Sequence, residues 1–295
     1  MPQKQSRLFQ SLRLWFLFVL ISLAIQLPLS SSVKQLSEKP IVVVIPSYKN
    51  IKWYEQNLGS VYVQKYKNYR VIYVDDCSPD GTGDAVEKYI EEQNQGLRTQ
   101  VIRNIERVGA MANIYMAVHT CREHEIVVLL DGDDWLAHDE VFKKLNQVYS
   151  KGNIWFTHGT LMEYPWGNVS WNDPIPPEAI ANNTYRQYKC PSHLRTFYAW
   201  LFKKIKLQDF LYKGQFLIMA WDMAIMYPLA EMAGEKHAFI KEVNYVYNMS
   251  NPINDNKVDP DLQNFLDKLI RNRKPYQRLE NPDIPLWMMQ PASKK

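Results

Sequence analysis

The sequence predicts an α/β fold: a Rossmann-like, mainly parallel sheet with helices on both faces. Two observations predict it. Between residues 41 and 130, four strongly apolar runs alternate with segments of helical periodicity, and such alternation builds parallel strands joined by helical crossovers. Each run also ends in polar or acidic residues: Ser47, then Asp75 and Asp76, then Asn104, then the "DGDD" of 131–134. Open α/β sheets bind ligands at the carboxyl ends of their strands, so four strand ends are expected to converge on one crevice.

The elements come in order along the chain. "IVVVIP" (41–46) is β-branched and is stopped by Pro46, as a strand buried on both faces would be. "WYEQNLGSVYVQKY" has the spacing of an amphipathic helix. "YRVIYVDD" (69–76) is a second strand, "SPDGTGD" a turn and "AVEKYIEEQN" a helix. "TQVIRN" (99–104) is a third strand, "GAMANIYMAVHTC" a helix and "EIVVLL" (125–130) a fourth strand. Beyond residue 140 the pattern changes. "NIWFTHGTLMEYPWG" (153–167) reads as strand and "NVSWNDPIPPEAIANNTY" as a Pro/Asn-rich loop. "HLRTFYAWLFKKI" and "FLIMAWDMAIMYPLAEMAG" read as helices, the second closed by Gly234, and "HAFIKEVNYVYN" as a strand. The closing "NPDIPLWMMQPASKK" reads as irregular.

Composition is that of a globular chain: 295 residues, 46% hydrophobic, 13% aromatic, net charge +4. So small a charge creates no demand for a nucleic-acid partner. The basic runs "FKKIK" (202–206) and "KLIRNRKPYQR" (268–278) read as solvated helix face or tail. Cys77, Cys121 and Cys190 have neither metal-ligand spacing nor the makings of a disulfide framework. The N-terminus differs from the rest. Lys4, Arg7 and Arg13 precede residues 14–33, which carry no charge. The apolar core, Leu14 to Leu27, is shorter than the ~20 residues of a comfortable span. It reads as a signal-anchor helix, with a signal peptide cut near Ser30–Ser32 as the alternative. The positive-inside rule then makes the protein membrane-associated and single-pass, its body lumenal or exterior. Sequons at Asn168, Asn182 and Asn248 fit that exposure weakly.

Among the motifs, "DGTGDAV" invites a dinucleotide reading and fails it. Val86 stands where the third glycine or alanine belongs, and two acids precede the turn where phosphate would approach. There is no GxxxxGK[ST], HExxH or GxSxG. The acid cluster remains. Carboxylates this close repel one another and raise each other's pKa unless a cation sits among them. Mg²⁺ or Mn²⁺ takes one or two carboxylates and completes its shell with substrate phosphate. The chemistry this suits is departure of a phosphate leaving group with a Lewis acid on the developing charge.

"VVVIPSYKN", "VIYVDDCSPDGT", "RNIERVGAMANI" and "LLDGDDWL" resemble, in order and spacing, the nucleotide-binding half of the family 2 GT-A glycosyltransferases. The resemblance is close over residues 40–145 and looser toward 250. It implies a GT-A fold and a metal-dependent, inverting transfer of sugar from a nucleotide-diphosphate donor, by family frequency a UDP-sugar, to an acceptor hydroxyl. It implies Mn²⁺ or Mg²⁺ as cofactor. It further implies that Pro46, Ser47 and Tyr48 line the nucleotide pocket, and that Asp76, with Asp75 its close rival, meets the base. Residues Arg107 to Asn113 would lie over the nucleoside. Asp131 would touch ribose, donor sugar or metal, and Asp133 would ligate the metal, with Asp134 as an alternative. Family members often carry Glu-Asp at the start of a later helix, its Asp serving as base. Here Trp221-Asp222 stands in that place, so Asp222 is the expected base and Trp221 a candidate sugar platform. Glu231 and Glu163 are the substitutes for that role, and His193 could reach acceptor or diphosphate.

The implied organisation is an anchor or signal peptide with linker (1–39), a donor half (40–150), an acceptor half (151–255) and a tail (256–295). The acceptor, whether glycan, lipid or protein, is open. Two other readings compete: a nucleotidyltransferase, whose Gly-rich loop after the first strand is missing here, and a silent sugar-binding member of the fold. A retaining transferase is a narrower third.

Overall fold

The computed structural model describes residues 36–169, 173–253 and 259–282. The chain divides into two compact units, Met1–Leu36 and Ser37–Lys295, and the fold and site belong to the second. The expected anchor at 14–33 and the end of the tail lie outside the described residues. Among those described, no helix is long and apolar enough to cross a membrane.

The donor half matches the sequence pattern: β1 (Ile41–Ser47), α1 (Tyr54–Tyr62), β2 (Tyr69–Asp75), α2 (Thr82–Glu92), β3 (Thr99–Arg103), α3 (Ala110–Thr120) and β4 (Ile126–Leu129). β1 is buried along its whole length, as its unbroken apolar run requires. It pairs in parallel with β2 on one side and β4 on the other, and β2 pairs in parallel with β3. The rest is β5 (Trp135–Leu136), α4 (Val141–Ser150), β6 (Phe156–Tyr164), β7 (Asn168–Val169), α5 (Pro177–Asn182), β8 (Arg195–Tyr198), α6 (Ala199–Phe202), the hairpin β9 (Leu211–Tyr212) and β10 (Gln215–Phe216), α7 (Trp221–Ala233), β11 (His237–Asn248) and α8 (Pro260–Arg271).

Three sequence expectations need correction. The sheet is mixed rather than mainly parallel. Its order is β3-β2-β1-β4-β8-β6-β11-β5, with β7 against β6. β8 runs antiparallel to both β4 and β6, and β5 antiparallel to β11. A parallel neighbour needs a crossover connection, and β8 is fed instead from the irregular stretch after α5. Second, "HLRTFYAWLFKKI" is not one helix. Its first half is strand β8 and only residues 199–202 are α-helical. Third, the Pro/Asn-rich loop contains α5. In the region after 255, α8 is capped by the Asp259 carboxylate on the Leu262 N–H.

The sheet is curled, and the acid turn is the reason. Four strand spacings separate β4 from β5, about 19 Å if the sheet were flat. Six Cα steps join Leu129 to Trp135, ~20–22 Å if fully extended, but the chain turns there, the Asp134 N–H donating to the Asp131 carbonyl at 3.0 Å, and its reach is far shorter. Only a curled sheet brings the two strands close enough. The turn therefore hangs across the mouth of the curl. The three cysteines are free thiols.

Candidate active site

The strand ends do converge. A cavity of about 1170 Å³ is lined by Pro46, Ser47, Tyr48, Asp76, Arg107, Asn113, Asp131, Asp133, Trp221 and Asp222. Of the residue pair at the end of β2, only Asp76 is among them. The Asp75 carboxylate faces the turn below, accepting from the Ser78 N–H at 3.4 Å. Adjacent strand residues point to opposite faces, so only one of the pair could face the cavity. Asp76 Oδ1 accepts from Asn104 Nδ2 (2.8 Å) and the Val108 N–H (2.9 Å), and Oδ2 from the Gly109 N–H (2.8 Å). This carboxylate thus ties the end of β2 to the loop after β3. On that loop Arg107 stacks on the Tyr48 ring, 3.9 Å from its centroid. Asn113 accepts from Asn104 through Oδ1 (2.7 Å), while its own Nδ2 is buried without a partner.

Two glycines show how the sequence shapes this end of the sheet. A Cβ on Gly132 would lie 2.5 Å from Asn50 Nδ2 and 2.8 Å from Ser47 Oγ. The acid turn can therefore press against the end of β1 only with glycine there. A Cβ on Gly83 would meet Arg103 and Asp75 at 2.7–2.8 Å, so this glycine of "DGTGD" serves packing of α2 on the sheet. Ser47 Oγ is itself occupied, accepting from Asn50 Nδ2 (2.9 Å) and the Tyr73 hydroxyl (2.7 Å).

The three aspartates of the turn are not equivalent. Asp134 is buried. Its Oδ2 accepts from the Tyr245 hydroxyl at 2.5 Å and its Oδ1 from the Asn248 N–H at 2.7 Å, so it anchors the turn to β11. Asn57, on α1, donates to the backbone carbonyls of Asp131 (2.9 Å) and Asp134 (2.7 Å). Asp131 and Asp133 are left half-buried at the cavity wall. Asn251 Nδ2 donates to Asp133 Oδ2 at 2.8 Å. Desolvation pushes the Asp131 carboxyl up to about 7, Arg195 opposing and Asp133 adding to it. Desolvation raises Asp133 as well, against the hydrogen bond from Asn251. Asp134 is raised well above the usual carboxylate range by burial and by its two acidic neighbours. Such a cluster is unfavourably charged until a cation joins it.

Fit to a divalent ion is judged from the donor set. Two half-buried carboxylates at the cavity wall offer hard oxygen ligands, and among the described residues no group of three or more His, Cys, Asp or Glu side chains could hold a metal alone. A divalent ion held by such a pair would have to complete its shell from substrate phosphate and water.

The start of α7 also lines the cavity, and every residue of this helix is buried except Asp222. Asp222 stands in the first turn, where the helix macrodipole favours an acid. Arg195 Nη2 donates to its Oδ2 at 3.1 Å and to His193 Nε2 at 2.9 Å. The guanidinium also lies 5.4 Å from the Trp221 ring centroid. Burial, aided by Arg195, holds the His193 imidazole well below its usual pKa, so it is neutral and accepts from Arg195. Of the substitute bases, Glu231 is fully buried and held bidentately by Arg186 (2.5 and 2.9 Å), away from the cavity, whereas Glu163 lines it.

Sequence reasoning missed Arg195, Tyr245, Asn248, Asn251 and the α8 residues Gln263, Asp267 and Arg271, all of which line or brace the cavity. The sequon at Asn248 has another use. Its side chain is fully buried and donates to the Asp133 carbonyl (3.1 Å), so it is no glycan acceptor.

A family model described as "Glycosyl transferase family 2" matches residues 42–211, more than half of the chain. The chain belongs to glycosyl transferase family 2. Among its relatives in that family, the putative teichuronic acid biosynthesis glycosyltransferase TuaG of Bacillus subtilis (strain 168) is 36% identical over 128 residues, 42% of this chain and 48% of TuaG. Glycosyltransferase GlyG of Streptococcus pneumoniae serotype 4 is 26% identical over 111 residues, 38% of this chain and 36% of GlyG. The match thus spans less than half the length of either relative. Two solved structures share the fold. S. aureus TarS 1-349 in complex with UDP-GlcNAc superposes with a TM-score of 0.57 at 17% identity, over 78% of this chain and 65% of that one. The mannosyltransferase PcManGT from Pyrobaculum calidifontis, in complex with GDP-Man and Mn²⁺, gives 0.55 at 20% identity, over 81% and 66%. At such identities the likeness shows the fold alone, a curled mixed sheet consistent with GT-A.

Proposed function

We propose that this family 2 chain is an inverting glycosyltransferase that moves a sugar from a nucleotide-diphosphate donor to an acceptor hydroxyl. The observation that carries the reading is the placement of Asp76, the pair Asp131 and Asp133, and the outward-facing Asp222 around one cavity. The donor would lie with its nucleoside under Tyr48 and Arg107 and its base against Asp76. The Asp76 carboxylate already accepts three hydrogen bonds, and its remaining lone pair would favour a base with a ring N–H, as in uracil and guanine, over cytosine, whose ring nitrogen there is an acceptor. This supports a UDP-sugar first and a GDP-sugar second. Named relatives of the fold bind UDP-GlcNAc or GDP-Man.

Asp133 and Asp131 would hold Mn²⁺ or Mg²⁺, which when bound neutralises the charge that develops on the departing diphosphate. Asp222 takes the proton of the acceptor hydroxyl through Oδ1, because Arg195 engages Oδ2. The hydroxyl oxygen then forms a bond to the anomeric carbon as the bond from that carbon to the β-phosphate oxygen breaks. A single displacement at an oxocarbenium-like centre inverts configuration. Trp221 lines the cavity, where it would meet the sugar, and its ring also lies 5.4 Å from the Arg195 guanidinium.

The test is a thermal-shift panel of UDP-, GDP-, CDP- and ADP-sugars with and without MnCl₂, followed by product analysis. Stabilisation by a UDP- or GDP-sugar that depends on Mn²⁺, with release of nucleoside diphosphate and an inverted anomer, is expected. Pyrophosphate release points to nucleotidyl transfer, a retained anomer to the other stereochemistry, and binding without turnover to a silent sugar-binding protein.

A further inference from the structure

The charged pair on the acceptor side is built more tightly than a surface ion pair. Arg195 is 5% exposed, and a buried guanidinium is tolerated only where carboxylates and hydrogen-bond acceptors satisfy it. It stands opposite Leu129 in the β4–β8 register, one strand away from the acid turn. A single nitrogen, Nη2, spends its two hydrogens on His193 Nε2 and Asp222 Oδ2. His193 is in turn stacked on the Tyr245 ring, centroids 4.3 Å apart and planes 25° from parallel. The Tyr245 hydroxyl fixes Asp134. One continuous chain of contacts therefore runs from the acid turn through Tyr245, His193 and Arg195 to Asp222. It joins segments around the cavity that lie far apart in sequence.

We propose that Arg195 is a positioning residue for Asp222: held by His193 and faced by the Trp221 ring, its guanidinium fixes one carboxylate oxygen of Asp222 so that the other meets the attacking hydroxyl. This rests on the assignment of Asp222 as base. The two hydrogens of Nη2 lie in the guanidinium plane at a fixed angle to each other, whereas the three hydrogens of an ammonium rotate about its terminal bond and hold neither acceptor in a set direction. A carboxylate free to rotate at the rim of a large cavity would lose the near-attack geometry on which proton abstraction depends.

The full chain is assayed as wild type, R195Q, R195K, D222N and R195Q/D222N. The readout is nucleoside diphosphate released from UDP-GlcNAc, UDP-glucose or GDP-mannose with MnCl₂ and no added acceptor, water standing in for the hydroxyl. The expected result for R195Q is a kcat lowered about 10²-fold, with KM for the donor within about threefold of wild type. R195K is expected to recover about tenfold of that loss. The double variant should be no slower than D222N by more than about threefold, because the two residues act as one unit. Unchanged kcat, a raised KM with kcat intact, or additive losses in the double variant overturns the proposal. If R195Q does not fold, R195K alone decides, through a lowered kcat at constant KM. A crystal structure of either Arg195 variant gives a readout independent of turnover: Asp222 rotated away from the cavity supports the role, and an unmoved Asp222 defeats it. Failure of the underlying assignment looks different. D222N turning over at the wild-type rate removes the base itself, whereas an inactive D222N beside normal Arg195 variants removes only the positioning role.

Discussion

Tyr245 donates its hydroxyl to Asp134 at 2.5 Å across 111 residues of sequence. Together with the Asn248 N–H on the other Asp134 oxygen (2.7 Å), it fixes the acid turn to the last long strand, and the same hydroxyl reaches Asp131 Oδ2 at 3.3 Å. Tyr245→Phe leaves the most buried carboxylate of the cluster short of a donor. The expected cost is about 1–3 kcal/mol of stability, measured by urea unfolding, together with weaker Mn²⁺-dependent nucleotide binding. Unchanged stability would show that Asn248 alone suffices to hold the turn.

Gly132→Ala tests the close approach of the turn to β1. The added methyl would sit 2.5 Å from Asn50 Nδ2 and 2.8 Å from Ser47, so either the turn or the end of β1 moves. Overpacking of this kind costs about 1–3 kcal/mol, and here the displaced groups line the donor pocket. Donor affinity is expected to fall with stability. Calorimetric titration of the donor sugar showing wild-type affinity would mean the turn shifts without consequence.

Asp222→Asn should lower turnover by about 10²–10⁴-fold at nearly constant donor KM, since its proposed partner is the acceptor hydroxyl rather than the donor. Its melting temperature should fall, because the buried Arg195 loses its carboxylate partner, so turnover is compared at a temperature where both proteins are folded. Activity near that of wild type excludes Asp222 from proton transfer.

The pH dependence originates in Asp131. Its folded carboxyl titrates at about 7, against an ordinary value of 3.8. Between those values the folded protein holds a proton that the unfolded chain has lost. Raising the pH from about 4 to 7 therefore removes stability from the metal-free protein. Asp131→Asn abolishes that contribution, so the wild type minus variant difference in melting temperature should become steadily more negative over this range. MnCl₂ should reverse the trend most strongly near pH 7, where the carboxylate is ionised in its presence. A difference that is flat with pH would contradict the raised pKa.

Glu231→Gln addresses stability apart from catalysis. Glu231 is fully buried, grips Arg186 with both oxygens and accepts from the Tyr276 N–H at 2.9 Å. Removing its charge leaves a buried guanidinium uncompensated, at about 3–5 kcal/mol. Chemical denaturation reads this directly, and a loss below about 1 kcal/mol, the worth of an exposed pair, would mean water relieves Arg186.

The donor half is legible because each of its signals is redundant. Unbroken β-branched runs, turn glycines and strand-terminal acids all point to the same sheet end, and Asp76, Asp131, Asp133 and Asp222 line one cavity there. Asp75 cannot be separated from Asp76 without knowing which face β2 turns to the cavity. The acceptor half is harder for a physical reason. A short strand that is buried on both faces has the same apolar density as a buried helix, and β8, with "RTFY" running into "AWLF", imitates a single helix. Losing that strand loses Arg195. By contrast, α8 carries a readable signal: Asp259 before Pro260, then Leu262, Leu266, Leu269 and Ile270 at helical spacing. Tyr245, Asn248 and Asn251 have no local signal, since their partners are more than a hundred residues away.

That distance has a consequence for biosynthesis. Asp133 is steadied by Asn251, and Asp134 by Tyr245 and Asn248, so the aspartates emerge from the ribosome long before the residues that aim them. A nascent chain halted just after the acid turn would hold that turn through Asn57 on the backbone alone, and the side chains of the three acids would be aimed only once the final third has been translated and docked.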